Sequence, residues 1–185
     1  MVDEILSESK KAMQKTIEAF RHEISSVRTG RANPSLLEHI RVEYYGSTVP
    51  LNQVATVGIP EPRMITVQPW DKSAIGPIEK AILSSSLGIQ PSNDGTMIRL
   101  PIPQLTEERR KDLVKQVRNM AEDVRVSIRN ARRDANDLLK EAQKEGEIPE
   151  DDSKRGQDQT QKLTDEHIQL IETILKEKES EIMEI

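Results

Sequence analysis

The residues best suited to chemistry are cations, and they are unevenly placed. Lys111, Arg118, Arg125, Arg129 and Arg132 follow one another at spacings of seven, seven, four and three. At about 100° per residue on a helix, all five fall within roughly 60° of one direction. From Arg109 to Arg133 there are nine Lys or Arg and three Asp or Glu, a local charge of +6 in a chain whose net charge is -5. The remaining residues therefore carry -11. A charged helix face is ordinarily a solvated one. Cations gathered on one flank of a chain that is acidic elsewhere point instead to a polyanionic ligand. Guanidinium groups suit such a ligand, since they are permanently charged and can meet two phosphate oxygens at once.

Other reactive residue types do not assemble into a catalytic set. His22, His39 and His167 lie in three different segments, and no HxxxH or HxH spacing pairs any two. His167, on a helical seam, reads as packed or half-exposed rather than as a ligand. With no cysteine there is neither a disulfide framework nor thiolate chemistry. Phosphate-binding glycine motifs, GxxxxGK[ST] or GxGxxG, are absent, so no bound nucleotide is expected. Glu150-Asp151-Asp152 reads as a solvated helix start rather than a cation site. Trp70 and Tyr44-Tyr45 could stack on a base, but burial in a small core is the preferred reading. The pattern favours a binding protein over an enzyme, with neither metal nor cofactor.

The elements that position the cations follow from periodicity. Met13, Ile17, Phe20, Ile24 and Val27 step by four and three, giving a helix over 3–28 with Gly30 as its natural cap. A second helix starts after Thr106. Its seam runs through Leu113, Val117, Met120, Val124, Ile128, Ala131, Ala135, Leu138 and Ala142 up to Gly146. A third, marked by Leu163, His167, Leu170, Ile171, Ile174 and Ile182, reaches almost to Ile185, its start loosened by Gly156. Three long amphipathic helices are not stable singly and must bundle, the short turn at Gly146 making the last two antiparallel.

Between the first two helices the character changes. Residues 31–105 hold nine of the ten prolines and five of the eight glycines. Alternation predicts strands at 40–44, 48–49, 53–59, 64–68 and 96–100, and a short helix from Pro77 to Leu87 capped by Gly88. The expected class is α+β. An elongated antiparallel three-helix bundle (1–29 and 106–185) carries an inserted β/α/β domain (30–105) on two connections. No signal peptide or membrane span is legible, so the expectation is a soluble protein in a reducing cytoplasm.

Several long segments together resemble the bacterial ribosome recycling factors. They are SSVRTGRANPSLLEHIRVEYYGSTVPLNQVA (25–55), PWDKSAIGPIEKAI (69–82), LPIPQLTEERRK (100–111), RNARRDAND (129–137) and QKLTDEHI (161–168). The resemblance spans the whole chain and implies an L-shaped monomer of transfer-RNA dimensions. It further implies that, with elongation factor G and its GTP hydrolysis, the protein would split the post-termination ribosome. Carried onto this chain, the contacts to large-subunit ribosomal RNA are Arg110, Arg129 and Arg132, with Arg133 and Arg28 as secondary contacts. Arg118 and Arg125 join them by helical geometry alone. The hinge falls on Thr29, Gly30, Arg31 and Ala32 and on Pro103, Gln104 and Leu105, where Gly30→Pro is expected to act as a stiffener. A helical adaptor gripping protein partners is the second reading, and an RNA-modifying or hydrolytic enzyme the third.

Overall fold

The computed structural model describes residues 1–184, so Ile185, near which the third helix was expected to end, lies outside them. In chain order the elements are α1 (Val2–Ser25), β1 (Arg41–Tyr44), β2 (Ser47–Pro50), β3 (Ala55–Glu61) and β4 (Met64–Pro69). Then come α2 (Ile75–Ser84), β5 (Ser92–Asn93), β6 (Ile98–Pro101), α3 (Glu107–Lys144) and α4 (Glu150–Met183). The chain divides into two compact units, one made of Met1–Thr29 with everything from Glu107 onward, the other of Gly30–Thr106.

In the first unit α1, α3 and α4 each pack against the other two. Phe20 and Met13 from α1, Val117, Ile128 and Leu139 from α3, and Ile171 and Ile182 from α4 are fully buried or nearly so. The α1 stripe is buried throughout. The α3 seam shifts by one residue at two places: Ala121 is fully buried where Met120 is only half-buried, and Leu138 is half-exposed while Leu139 takes its place in the core. From Ala135, the other buried residue nearby, a step of four stays closer to the core direction than a step of three. Between α3 and α4 the chain reverses through a Schellman closure. Gly146 has φ +76°, its N–H donates to the Gln143 carbonyl at 3.1 Å, and the Glu147 N–H donates to that of Ala142 at 2.9 Å.

Gly156 corrects the expectation of a loose start. The α4 helix is continuous from Glu150, and Gly156 is buried within it. A Cβ there would lie 2.9 Å from Leu139 Cδ2 and 3.3 Å from Val2 Cγ1. The glycine is what lets α4 approach Leu139 so closely. Gly30 is likewise not the cap of α1, which ends five residues earlier with Ser26 as its C-cap. Gly88 has φ +65° but lies beyond α2, which starts at Ile75, two residues before Pro77.

The second unit contains two sheets. One is the β1–β2 hairpin, and the other is antiparallel in the order β3–β4–β6–β5. Ile65 and Val67 of β4 pair with Leu100 and Ile98 of β6. All four are buried together with Val42, Ile78 and Ile82, so strand alternation and the α2 face meet in one aliphatic core. Of the three aromatics expected there, Tyr44 is half-buried and packs against this core. Against expectation, Tyr45 is 80% and Trp70 67% exposed. Tyr45 sits in the turn after β1 and Trp70 just past the end of β4, where neither position faces inward. The mixed α+β class with a long-helix bundle is the one expected.

Candidate nucleic-acid interface

The α3 cations share one helix but not one environment. Arg118 Nε donates to Glu179 Oε1 at 2.6 Å, and Arg125 Nε donates to Glu172 Oε1 at 2.7 Å. Both acceptors belong to α4, so these arginines brace the α3–α4 contact. Arg125 Nη1 also reaches Glu122 Oε2 at 2.8 Å, and Arg129 Nη1 meets the other oxygen of that carboxylate at 3.3 Å. The Glu122 carboxyl is accordingly held below its ordinary range, first by the hydrogen bond from Arg125. Glu179 and Glu172 in turn raise the guanidinium pKa of Arg118 and Arg125.

The environment changes toward the far end of the ridge. Arg132 Nη1 donates to Gln161 Oε1 at 3.1 Å, and Gln161 Nε2 donates to Asp165 Oδ1 at 2.8 Å. An amide orients the guanidinium without cancelling its charge, which a carboxylate would do. Arg133 is exposed and has no hydrogen-bond or ion-pair partner among the described residues. The ridge is therefore graded. Arg118 and Arg125 are matched by carboxylates, Arg129 is partly matched, and Arg132 and Arg133 keep their full charge toward solvent.

The other sequence-derived candidates stand apart. Arg110 is half-buried, and its Nε is sealed from solvent without a hydrogen-bond partner. Arg28 is exposed just beyond α1. Lys111 pairs with Glu107 one turn earlier at 2.9 Å. Among the described residues no group of three His, Cys, Asp or Glu is placed to hold a metal ion, and no helix is long and apolar enough to cross a membrane.

The two connecting segments are anchored within their own units. Thr29 is buried, and its Oγ1 donates to Glu181 Oε1 on α4 at 2.7 Å. The other oxygen of that carboxylate faces Lys178 Nζ at 3.4 Å. Gly30 adopts φ +77°, and a Cβ there would stand 3.0 Å from Leu105 Cγ. The Ala32 N–H donates to the Pro62 carbonyl at 2.7 Å, and the Ile102 N–H to that of Arg63 at 2.8 Å. Arg31, Pro103 and Gln104 are exposed.

Sequence reasoning missed the counter-charges. A signal was available: Glu172 and Glu179 are seven residues apart, as are Arg118 and Arg125, which on antiparallel helices allows two matched pairs. Gln161 carried no comparable signal.

The family profile described as Ribosome recycling factor matches residues 20–183. The chain belongs to the ribosome recycling factor family. The ribosome-recycling factor of Syntrophomonas wolfei is 57% identical over 185 residues, covering all of both chains, and that of Bacillus subtilis is 52% identical with the same coverage. A solution structure of a ribosome recycling factor is 41% identical, has a TM-score of 0.77, and is aligned over 100% of this chain and 98% of that one. The T. thermophilus recycling factor, in a structure with E. coli elongation factor G bound to the E. coli post-termination complex, is 51% identical with a TM-score of 0.65 over 99% of both chains. In this member of the recycling factor family, the graded ridge lies on α3, the longest helix of the bundle.

Proposed function

We propose that this chain binds the post-termination ribosome through large-subunit ribosomal RNA and, with elongation factor G and GTP hydrolysis, promotes its dissociation. It acts in the cytoplasm as a binding factor, with no active site of its own. The observation that carries the RNA contact is the open end of the ridge, where Arg132 is held by an amide and Arg133 is unpaired while the arginines before them are matched by carboxylates. Phosphate contacts of this kind supply affinity and register without reading base sequence. The recycling factor seen with elongation factor G on a post-termination complex, 51% identical to this chain, supports the choice of partner.

The two connections, Thr29–Ala32 and Pro103–Leu105, are read as the hinge through which the second unit accepts force. The division of the chain at Thr29 and Thr106 supports that reading. The test is light scattering on purified post-termination ribosomes. Adding the chain together with elongation factor G and GTP is expected to lower the signal as subunits separate, and omitting any one of the three to leave it level. A level trace with all three present sinks the function.

A further inference from the structure

The turn after β1 holds a residue that its backbone disfavours. Tyr45 and Gly46 have φ +50° and +78°, and Tyr44 pairs with Ser47 across them. That is a two-residue hairpin turn of the kind in which Asn-Gly is favoured, because both central residues take positive φ. A tyrosine there is strained, and burial does not compensate, since the side chain is 80% exposed.

The ring is nevertheless held in place. Tyr44 Oη donates to Asp71 Oδ2 at 3.0 Å, and Tyr45 Oη reaches the same oxygen at 3.4 Å. Asp71 Oδ1 accepts the Ser73 N–H at 3.0 Å. The two tyrosine rings meet edge to face with centroids 4.4 Å apart. Trp70, the residue before Asp71, is also exposed and is fixed by an Nε1 bond to Thr56 Oγ1 at 2.9 Å. Tyr44 is half-buried against the core of the unit, Tyr45 and Trp70 are exposed, and rings fixed in this way surrender little conformational freedom on binding.

We propose that Tyr44, Tyr45 and Asp71 form a receptor for a lysine or arginine side chain of a protein partner within the post-termination complex. A cation is attracted to the face of an aromatic ring and to the carboxylate at the rings' hydroxyl edge. Donating a hydrogen bond to a carboxylate makes each phenol ring richer in electrons, which strengthens that attraction. Asp71 stays ionised, held below its ordinary range first by the Ser73 N–H, while the bond to Asp71 keeps Tyr44 protonated. Nucleic acid fits this place poorly, because its phosphates would meet the Asp71 carboxylate. Lys72 follows Asp71 and is exposed, so the local charge is balanced. Recognition there is of a single cation at short range, with little salt dependence, unlike the α3 ridge.

The inference rests on the ribosome reading, and its test separates the two. The full chain carrying Tyr45→p-benzoylphenylalanine is bound to purified post-termination ribosomes with elongation factor G, sedimented, irradiated and its products mapped. The expected product is a covalent link to a protein within reach of a Lys or Arg. Its yield should fall several-fold when Asp71→Asn or Tyr44→Phe is added. Separately, Tyr45→Asn is expected to raise the melting temperature, since asparagine suits the turn. A sedimenting chain that links only to RNA, links to nothing, or is indifferent to both added substitutions overturns the receptor alone. A chain that does not sediment with ribosomes sinks the function, and this inference with it.

Discussion

Arg132 and Arg118 are the same residue type on the same flank of α3, and their partners set them apart. Gln161 leaves the charge of Arg132 available, whereas Glu179 matches that of Arg118. Arg132→Ala is therefore expected to weaken ribosome binding and to reduce the salt slope by about one. Arg118→Ala should leave that slope unchanged. Gln161→Glu is the sharper test, because it adds no bulk yet supplies the missing counter-charge. It should reproduce the shallower slope of Arg132→Ala, and Gln161→Ala should not. Sedimentation at a series of potassium chloride concentrations measures all four, and equal slopes throughout would contradict the graded ridge. The arginines were legible in the sequence because helical spacing alone sets their direction. Their partners were not, because which carboxylate meets which guanidinium depends on the register between α3 and α4. Tyr45 and Trp70 escaped for a related reason: composition makes aromatics look like core, while turn geometry and strand end put both outside it.

Among the elements, α4 illustrates how a local rule yields to packing. Glycine weakens a helix by about 1 kcal/mol relative to alanine. Gly156→Ala should nonetheless destabilise the bundle, by about 1–3 kcal/mol, because the new methyl would press on Leu139 at 2.9 Å. Urea denaturation measures this. Combining it with Leu139→Ala, itself expected to cost about 2–5 kcal/mol, should give less than the sum of the two. Strict additivity would mean that the methyl never meets that leucine. The stripes of α1 and α3 were readable to within one residue, since period 3.6 over many turns averages out local irregularity. The ends of α1 and α2 were not, because positive φ at Gly30 and Gly88 serves the loops beyond them rather than a helix cap. The same conformation disqualifies Gly30→Pro as a stiffener: proline fixes φ near -65°, and the backbone there needs +77°.

At the scale of the whole molecule, acid should weaken both units, the first through Glu122 and Glu150, whose carboxyls are also held below their ordinary range, and the second through two aspartates. Asp71 and Asp94 both belong to residues 30–106, and backbone N–H donors hold each carboxyl below its ordinary value of 3.8. A depressed carboxyl stabilises the fold fully above that value, and the contribution is lost as pH falls through the folded pKa. The second unit should therefore lose stability below about pH 3.8, and Asp94→Asn should flatten that loss. Thermal melts followed by circular dichroism from pH 5 downward measure it, and a steeper loss in the variant would contradict the assignment. The inserted arrangement was visible in the sequence as a change of period and of proline content. Two separate sheets were not, since alternation reveals strands but not their neighbours. The bond from Thr29 to Glu181 joins residues 152 positions apart in the chain. During synthesis this separation becomes an interval of time. The small unit is contiguous, so it can close as soon as its last strand, Ile98–Pro101, has emerged. Met13, Ile17 and Phe20 leave the exit tunnel first yet must wait for Ile171 and Ile182. The helix translated earliest is thus the one whose folding is completed last, and its apolar stripe is the part of a nascent chain that a chaperone would find exposed.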